Sequence, residues 1–349
     1  AFGSLFSFCM GIGLYGLTYL YPVYLGRIRG YDALQIGETM FVTGLCMFLT
    51  APIAGKLSAK IDPRMQMMIG FAGFALGTWI GNVTLRNPGL HEVAAARLGA
   101  RVEFIGCIGR DPFGETACAG LQKEGISLRH TTRIGTVSSG VALILVGAEG
   151  ENLISVARSS NDRLTPAHVR RAAPSIRRAG LLLAQLEVPL PAVTEAVRIA
   201  FRAGVRVILN PAPGRPLPRT LLRQVWMITP NESELSLLTG LPTQTPAQLV
   251  RAARRLLASG PREVLITCGA RGACHVTPDA TRFEPAPKVR AIDTTGAGDC
   301  LNGALATALA AGATPPEAIR FAVRCAALSV QHPGAQPSLP RRKDLFRFK

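Results

Sequence analysis

The run Asp293-Thr-Thr-Gly-Ala-Gly-Asp299 sets two glycines, Gly296 and Gly298, at the mouth of an apolar stretch with helical spacing, and puts a carboxylate, Asp299, directly behind them. Small residues at a helix start leave backbone N–H groups bare, and those groups point at whatever anion sits there. A carboxylate one residue on cannot help to bind that anion, because like charges repel. It is placed to take a proton from a hydroxyl that attacks the anion. Cradle and adjacent base together point to phosphoryl transfer to an alcohol. Taken alone, the same residues serve equally well as a glycine turn with an acid in the first helical turn, since short glycine motifs are weak signals.

The elements that would position this turn read as alternating strands and helices. Glu92–Ala100 is helical and Val102–Gly109 is a strand. Val141–Val146 is a strand running through the turn Gly147–Gly150 into a hairpin. Gly180–Leu186, Val205–Asn210, Val225–Thr229 and Glu263–Thr267 are short apolar runs, with helices over Pro191–Ala203, Glu232–Leu238 and Ala247–Ser259 between them. This order predicts a parallel sheet covered on both faces, with ligands outside the carboxyl ends of the strands. Asn210-Pro-Ala-Pro213, Thr229-Pro-Asn-Glu-Ser-Glu234 and Thr267-Cys-Gly-Ala-Arg-Gly272 each follow such a strand. The glycine turn follows a fourth, short one, Val289–Ile292. Four turns on one rim argue for one site.

The chain has 349 residues, room for about two domains, and a formal net charge of +17, which invites a nucleic-acid or anionic-lipid partner. The arginines, however, are scattered along amphipathic stretches such as His168–Arg178, without interleaved aromatics or a recognisable motif. Solvated helix faces account for them, and no nucleic-acid partner is expected. None of the 8 cysteines forms a C-x-x-C pair or a zinc spacing, so buried free thiols are expected.

Residues 1–81 differ. Phe2–Leu25 carries no charge and is long enough to cross a bilayer. Ile36–Ala54 and Met65–Val83 are further candidate spans, and Tyr19, Tyr21 and Tyr24 cluster as at a membrane interface. The runs Gly11–Pro22, Gly30–Gly37 and Gly55–Arg64 resemble a fragment of a drug:proton antiporter of the major facilitator superfamily. About three transmembrane helices cannot build a transport pathway, which needs two rocking multi-helix halves. The basic loop with Lys56, Lys60 and Arg64 would lie in the cytoplasm. A third span would then carry the rest of the chain outward, against Arg86, Arg97 and Arg101, and the sequence leaves that conflict open.

From about residue 92 to 340 the chain resembles the ribokinase group of the PfkB carbohydrate-kinase family. The resemblance rests on Gly140–Val146 with Gly150-Glu-Asn152, Gln185–Leu190, Leu209–Pro213, Ile228–Glu234, Leu265–Gly272, Asp293–Gly303 and Gly334–Ser338. It implies a three-layer, doubly wound, mostly parallel α/β fold over 92–345, after a junction at 82–91. It also implies ATP-dependent phosphorylation of the primary hydroxyl of a sugar, D-ribose first. Asp299 would be the base, and the amides of Gly296, Ala297 and Gly298 the anion hole. Asn231 and Glu234 form an N-x-x-E pattern, Asn231 at the nucleotide and Glu234 on Mg²⁺ through water. Thr267, Cys268, Gly269, Ala270, Arg271 and Gly272 would hold ATP, with Val323 against adenine. Glu187 would bond the sugar hydroxyls. Asp293, Thr295, Ser329, His332, Gly334 and Ser338 match a K⁺ site. Such enzymes often pair through a lid, so a homodimer is allowed.

Arg86-Asn-Pro-Gly-Leu-His91 stands where the family carries a glycine-, lysine- and asparagine-containing sugar grip, and the family's first strand and part of its lid are not recognisable. The two halves read as joined from different frames. Phosphate chemistry is expected to survive in outline and sugar capture to be impaired, each lost hydrogen bond costing about 0.5–1.5 kcal/mol. Two other readings remain open: an inert membrane-anchored fragment, and another PfkB-type sugar or nucleoside kinase. The kinase portion is expected in the cytoplasm and residues 1–81 at a membrane.

Overall fold

The computed structural model describes residues 89–146 and 152–346. The chain divides into two units, Ala1–Ile80 and Gly81–Lys349, and all described residues belong to the second. The expected transmembrane segments and antiporter-like runs lie outside the described residues, as does the hairpin turn Gly147–Gly150. Among the described residues no helix is long and apolar enough to cross a membrane.

The elements run α1 (Leu90–Arg97), β1 (Glu103–Gly109), α2 (Pro112–Lys123), β2 (Ser127–Ile134), β3 (Val141–Val146), β4 (Asn152–Ala157), α3 (Pro166–Arg171), α4 (Ala173–Arg178), β5 (Leu181–Ala184), α5 (Leu190–Arg202), β6 (Arg206–Leu209), α6 (Arg219–Leu222), β7 (Met227–Ile228), α7 (Glu232–Thr239), α8 (Pro246–Leu257), β8 (Glu263–Thr267), β9 (Ala273–Val276), β10 (Thr281–Glu284), α9 (Ala297–Ala310) and α10 (Pro315–Ser329). The main sheet has the order β10-β9-β8-β7-β6-β5. β5 to β8 pair in parallel, whereas β9 and β10 are antiparallel. β1 and β2 form a separate parallel pair, and β3 and β4 an antiparallel one.

Alternation along the strands sorts the core into two layers. Val207 and Leu209, Ile228, and Val264 and Ile266 face one way, onto α5 (Val193, Val197) and α8 (Leu249, Leu256). Ile208, Met227 and Leu265 face the other way, onto α1, α9 and α10. Because both faces are covered, these strands are apolar through their middles, with Arg206, Glu263 and Thr267 only at their ends. Local signals agree with this packing. α3, α8 and α10 each start Thr-Pro, with the Thr closing a capping box to His168, Gln248 or Glu317.

The structure differs from the sequence reading at one strand. Val289–Ile292 is irregular, not a strand, and Ile292 is exposed. Lys288 and Arg290 alternate with its apolar residues, which denies it a place between two apolar layers. The amides of Ile292 and Asp293 instead donate to the carbonyl of Val330, at 2.7 and 3.2 Å. The antiparallel strands β9 and β10, which extend the sheet beyond β8, were not anticipated. The six described cysteines, Cys107, Cys118, Cys268, Cys274, Cys300 and Cys325, are buried free thiols.

Arg97 fastens α1 to the end of the chain. Its guanidinium donates to Glu124 at 2.7 and 3.0 Å, and to the carbonyls of Gln336 and Leu339 at 2.8 and 2.9 Å. Burial raises the affinity of the Glu124 carboxyl for a proton, but the bonds and charge of Arg97, with Arg341 beside it, outweigh burial and hold its pKa below the ordinary value. The stability this pair contributes is therefore present above the ordinary carboxylate pKa and lost as pH falls through the lowered one. Arg97→Met leaves Glu124 with Arg341, at 3.3 Å, as its remaining cation and frees the Gln336 and Leu339 carbonyls, and urea unfolding at neutral pH should show a loss of about 1–3 kcal/mol.

Candidate active site

Gly296 is the N-cap of α9, with φ 78°, a conformation that a side chain at Cβ resists. The turn it makes delivers Ala297, Gly298 and Asp299 as the first residues of the helix. A Cβ added at Gly298 would meet nothing within 4 Å, so the backbone there faces open space. Asp299, one residue on, is only 7% exposed and lines a cavity of about 150 Å³.

Two side chains hold this turn in place. Asp293 accepts from the Thr295 amide through Oδ1 and from the Gly334 amide through Oδ2, both at 2.8 Å. It thus ties the approach to α9 to the loop after α10. From inside the helix, Asn302 donates from Nδ2 to the Gly298 carbonyl at 2.9 Å and accepts from the Thr229 hydroxyl at 2.7 Å. Asn210 donates to the carbonyl of Thr229 at 3.0 Å. The ends of β6 and β7 and the glycine turn are therefore one buried polar network. Asn302 is 1% exposed, and the sequence reading gave it no role. The available signal was an amide in an otherwise apolar helix, on the face next to Asp299.

Asn231 and Glu234 form a capping box at α7. The Asn231 side chain accepts from the Glu234 amide at 2.8 Å, and Glu234 Oε2 accepts from the Asn231 amide at 2.9 Å. Their spacing is thus satisfied locally, and Glu234 Oε1 is the oxygen left for a further partner. Burial pushes the Glu234 carboxyl above its ordinary pKa, the Asn231 amide opposes this, and the charge of Asp299 adds to it. Gly214, in the loop after β6, abuts Glu234.

Thr267 ends β8, and its amide donates to Pro230 at 3.0 Å, which brings the third rim turn against Asn231. Gly269, Ala270 and Arg271 form a 3₁₀ turn that the Cys268 amide closes onto the Gly272 carbonyl at 2.8 Å. Gly272 has φ 101°, and a Cβ there would strike the Glu284 carbonyl of β10, so the turn needs glycine. Arg271 pairs with Glu232. Val323 is 3% exposed and packed in the layer with α9, a core position.

Glu187 follows β5 and lines the same cavity as Asp299, with Gln185, His91 and Glu92. The loop is held by the Leu186 amide, which donates to Ala212 at 3.0 Å. Ser329 and Ser338 spend their hydroxyls on their own turns, donating to Ala326 and Ala335. The His332 amide donates to Ser329 at 3.2 Å.

His91 was read as part of the junction, yet its Nε2 sits 3.2 Å from Asp299 Oδ1, off the line of a hydrogen bond. It is there because Gly303 lets α1 lie directly on α9. A Cβ at Gly303 would come within 2.5 Å of the His91 carbonyl and 2.7 Å of Ala94 Cβ. Burial pushes the neighbouring Glu92 carboxyl up, His91 opposes this, and Asp299 and Glu187 add to it.

A glycine-turn helix start with a buried carboxylate behind it, on the rim of a doubly wound sheet, is an arrangement suited to a phosphotransferase. Residues 91–342 match the pfkB family of carbohydrate kinases, and the chain belongs to that family. It is 41% identical over 256 residues to a ribokinase of Haemophilus influenzae, covering 73% of this chain and 84% of that one. It is 36% identical over 249 residues to a deoxyribokinase of Salmonella typhi, covering 71% and 81%. A solved ribokinase of Arabidopsis thaliana, complexed with ribose and ATP, superposes with a TM-score of 0.71 at 30% identity, covering 75% and 86%. The chain is thus a carbohydrate kinase, a phosphotransferase with an alcohol acceptor.

Replacing Asn302 by Leu removes the side-chain bonds to the Gly298 carbonyl and the Thr229 hydroxyl and leaves that hydroxyl only the Leu209 carbonyl, at 3.5 Å. A loss of about 1–3 kcal/mol in thermal or urea unfolding is expected, with weaker nucleotide binding by titration calorimetry because the turn is no longer held.

Proposed function

We propose that this chain transfers the terminal phosphoryl group of ATP to the primary hydroxyl of a pentose, D-ribose first. The observation that carries this reading is the buried Asp299 carboxylate, set one residue behind a glycine turn whose Gly298 backbone faces open space. The likeness to the Haemophilus influenzae ribokinase, and to the Arabidopsis structure with ribose and ATP, supports the choice of substrates.

In this reading Asp299 accepts the proton of the attacking hydroxyl. That oxygen forms its bond to the γ-phosphorus as the bond from phosphorus to the β–γ bridging oxygen breaks, and ADP leaves with that oxygen. The amides of Gly296, Ala297 and Gly298 take up the charge that gathers on the moving phosphoryl group, where positioning and electrostatics supply most of the acceleration. Thr267 to Gly272 bind the nucleotide from the third rim turn, beside Asn231. Val323, by its place in the core, backs that side by packing. Glu187 orients the sugar from the far wall of the cavity.

The donor chemistry fits hard cations. Glu234 keeps one oxygen outside its capping box, suited to a water-bridged Mg²⁺, which holds its hydration and would neutralise phosphate charge. Asp293, the Thr295 carbonyl and the Ser329–Ser338 loop offer oxygen ligands suited to K⁺, which would add to the stapling of the turn. Among the described residues no group of three or more His, Cys, Asp and Glu side chains could hold a metal ion.

The impaired sugar capture expected from Arg86–His91 is supported by His91, whose Nε2 lies 3.2 Å from Asp299 Oδ1, one of the two oxygens open to an acceptor hydroxyl in this reading. The deoxyribokinase likeness keeps a 2-deoxy sugar as the second substrate to assay. The cytoplasmic placing of the kinase portion, the membrane segment and pairing through a lid rest on the sequence reading.

A coupled assay with ribose, ATP, Mg²⁺ and K⁺ tests the proposal, and no turnover by a folded sample overturns it. Asp299→Asn should lower kcat by about 10²–10⁴-fold while ATP affinity in equilibrium binding stays near the parent's. Because the Glu234 pKa is raised, its carboxyl stays neutral to a higher pH than usual. The Mg²⁺ concentration for half-maximal rate should therefore fall as pH rises through that raised value, and Glu234→Gln should flatten the dependence.

A further inference from the structure

The arginines that the sequence scatters are gathered by the topology. β5 to β8 run parallel, so the chain enters all four at one end of the sheet, and the active-site turns leave at the other. Each entry carries arginine. α4 ends on Arg177 and Arg178 before β5, and α5 ends on Arg202 before β6. Arg223 caps α6 before β7, α8 has Arg255 in its last turn, and Arg262 directly precedes β8. All six are exposed. The sheet order β8-β7-β6-β5 sets them in a row along one rim. They are drawn together where the Arg262 amide donates to the Trp226 carbonyl at 3.1 Å and Gly260 abuts Arg223.

A cation at a helix end interacts favourably with the helix dipole, but Arg262 lies outside any helix and α4 ends on two arginines. Acids do not balance the row. Glu263, Asp279 and Glu317 lie to the side of β8 to β10 and the start of α10, where Glu263 is bonded to His275 and Glu317 to Thr314. The chain outside the described residues holds Asp32, Glu38, Asp62, Glu149 and Glu151 against eight lysines and arginines, so it adds positive charge instead of cancelling it. The counter-charge must come from another molecule. Trp226, at this end, has a ring face taken by the Arg206 guanidinium, 5.0 Å from its centre, and offers no stacking platform to a nucleic acid. Phe201, beside Arg202, is 50% exposed. A bare phenyl ring among guanidinium groups suits the headgroup boundary of a bilayer, where the ring enters the acyl edge and the cations meet anionic headgroups.

We infer that this rim docks the protein on an anionic lipid surface, with Phe201 entering the interface. The active-site turns then face away from the bilayer, because they follow the opposite strand ends. The inference does not rest on the catalytic reading.

Sedimentation of the full chain with lipid vesicles tests it. Vesicles of phosphatidylcholine with about 30% phosphatidylserine should bind at least about tenfold more tightly than phosphatidylcholine alone in about 0.1 M NaCl, and the difference should collapse at about 0.5 M. The triple variant Arg178→Gln, Arg202→Gln, Arg223→Gln should lose at least about tenfold of that affinity, and Phe201→Ser at least about threefold. The triple variant Lys288→Gln, Arg290→Gln, Lys343→Gln, which removes the same charge from exposed positions elsewhere, should lose less than about threefold. Equal binding to neutral vesicles, equal losses in the two triple variants, an unchanged Phe201→Ser, or tighter binding of an RNA duplex than of the anionic vesicles would overturn the proposal.

Discussion

Asp293 gives its two carboxylate oxygens to two different loops, and the active arrangement depends on that division. One bond shapes the entry to α9. The other pins the loop after α10 against it. A glycine turn with no side chains of its own has little to pack with, so its shape must be imposed from outside. Asp293 does this from in front and Asn302 from behind, the latter by reaching back one helical turn to the Gly298 carbonyl. Backbone amides that are already held in place lose little freedom when an anion arrives, which is what preorganised electrostatic stabilisation requires.

The second constraint is close approach. Gly303 brings α1 onto α9, and with it the His91 ring nitrogen and the Glu92 carboxyl, into the neighbourhood of Asp299, where Glu187 arrives separately from the end of β5. Gathering acids in a poorly hydrated place is unfavourable, and burial has pushed Glu92 toward its neutral form.

Much of the frame was legible because it repeats. Glu263–Thr267 was read with the bounds β8 has, and Pro191–Ala203, Glu232–Leu238 and Ala247–Ser259 fell within two residues of α5, α7 and α8, since each lies between two short apolar strands. Val289–Ile292 misled because a short alternating run is a strand only if something lies on both sides of it. The pair β9–β10 escaped because antiparallel extension of a parallel sheet is decided by tertiary packing. In the site, the residues with their own local grammar were readable: the glycine turn, and Asn231 with Glu234. Asn302 and His91 were not. Each acquires meaning from a partner on another element, and a single sequence does not say which elements meet. The alternation within β6, β7 and β8 also sorted residues into two layers that composition alone could not separate.

All six described thiols are sheltered, and burial raises several of them: Cys268 to about 11, Cys325 to about 12, and Cys300 well above its usual value. A thiol in that state barely ionises near neutrality, so it reacts with alkylating reagents only when its surroundings part. Cys268 sits at the rim after β8, whereas Cys300 follows Asp299 in α9 and Cys325 lies in α10 packed against it. The molecule thus contains its own chemical clock, in which the sequence of labelled cysteines records which wall opens first and which gives way last.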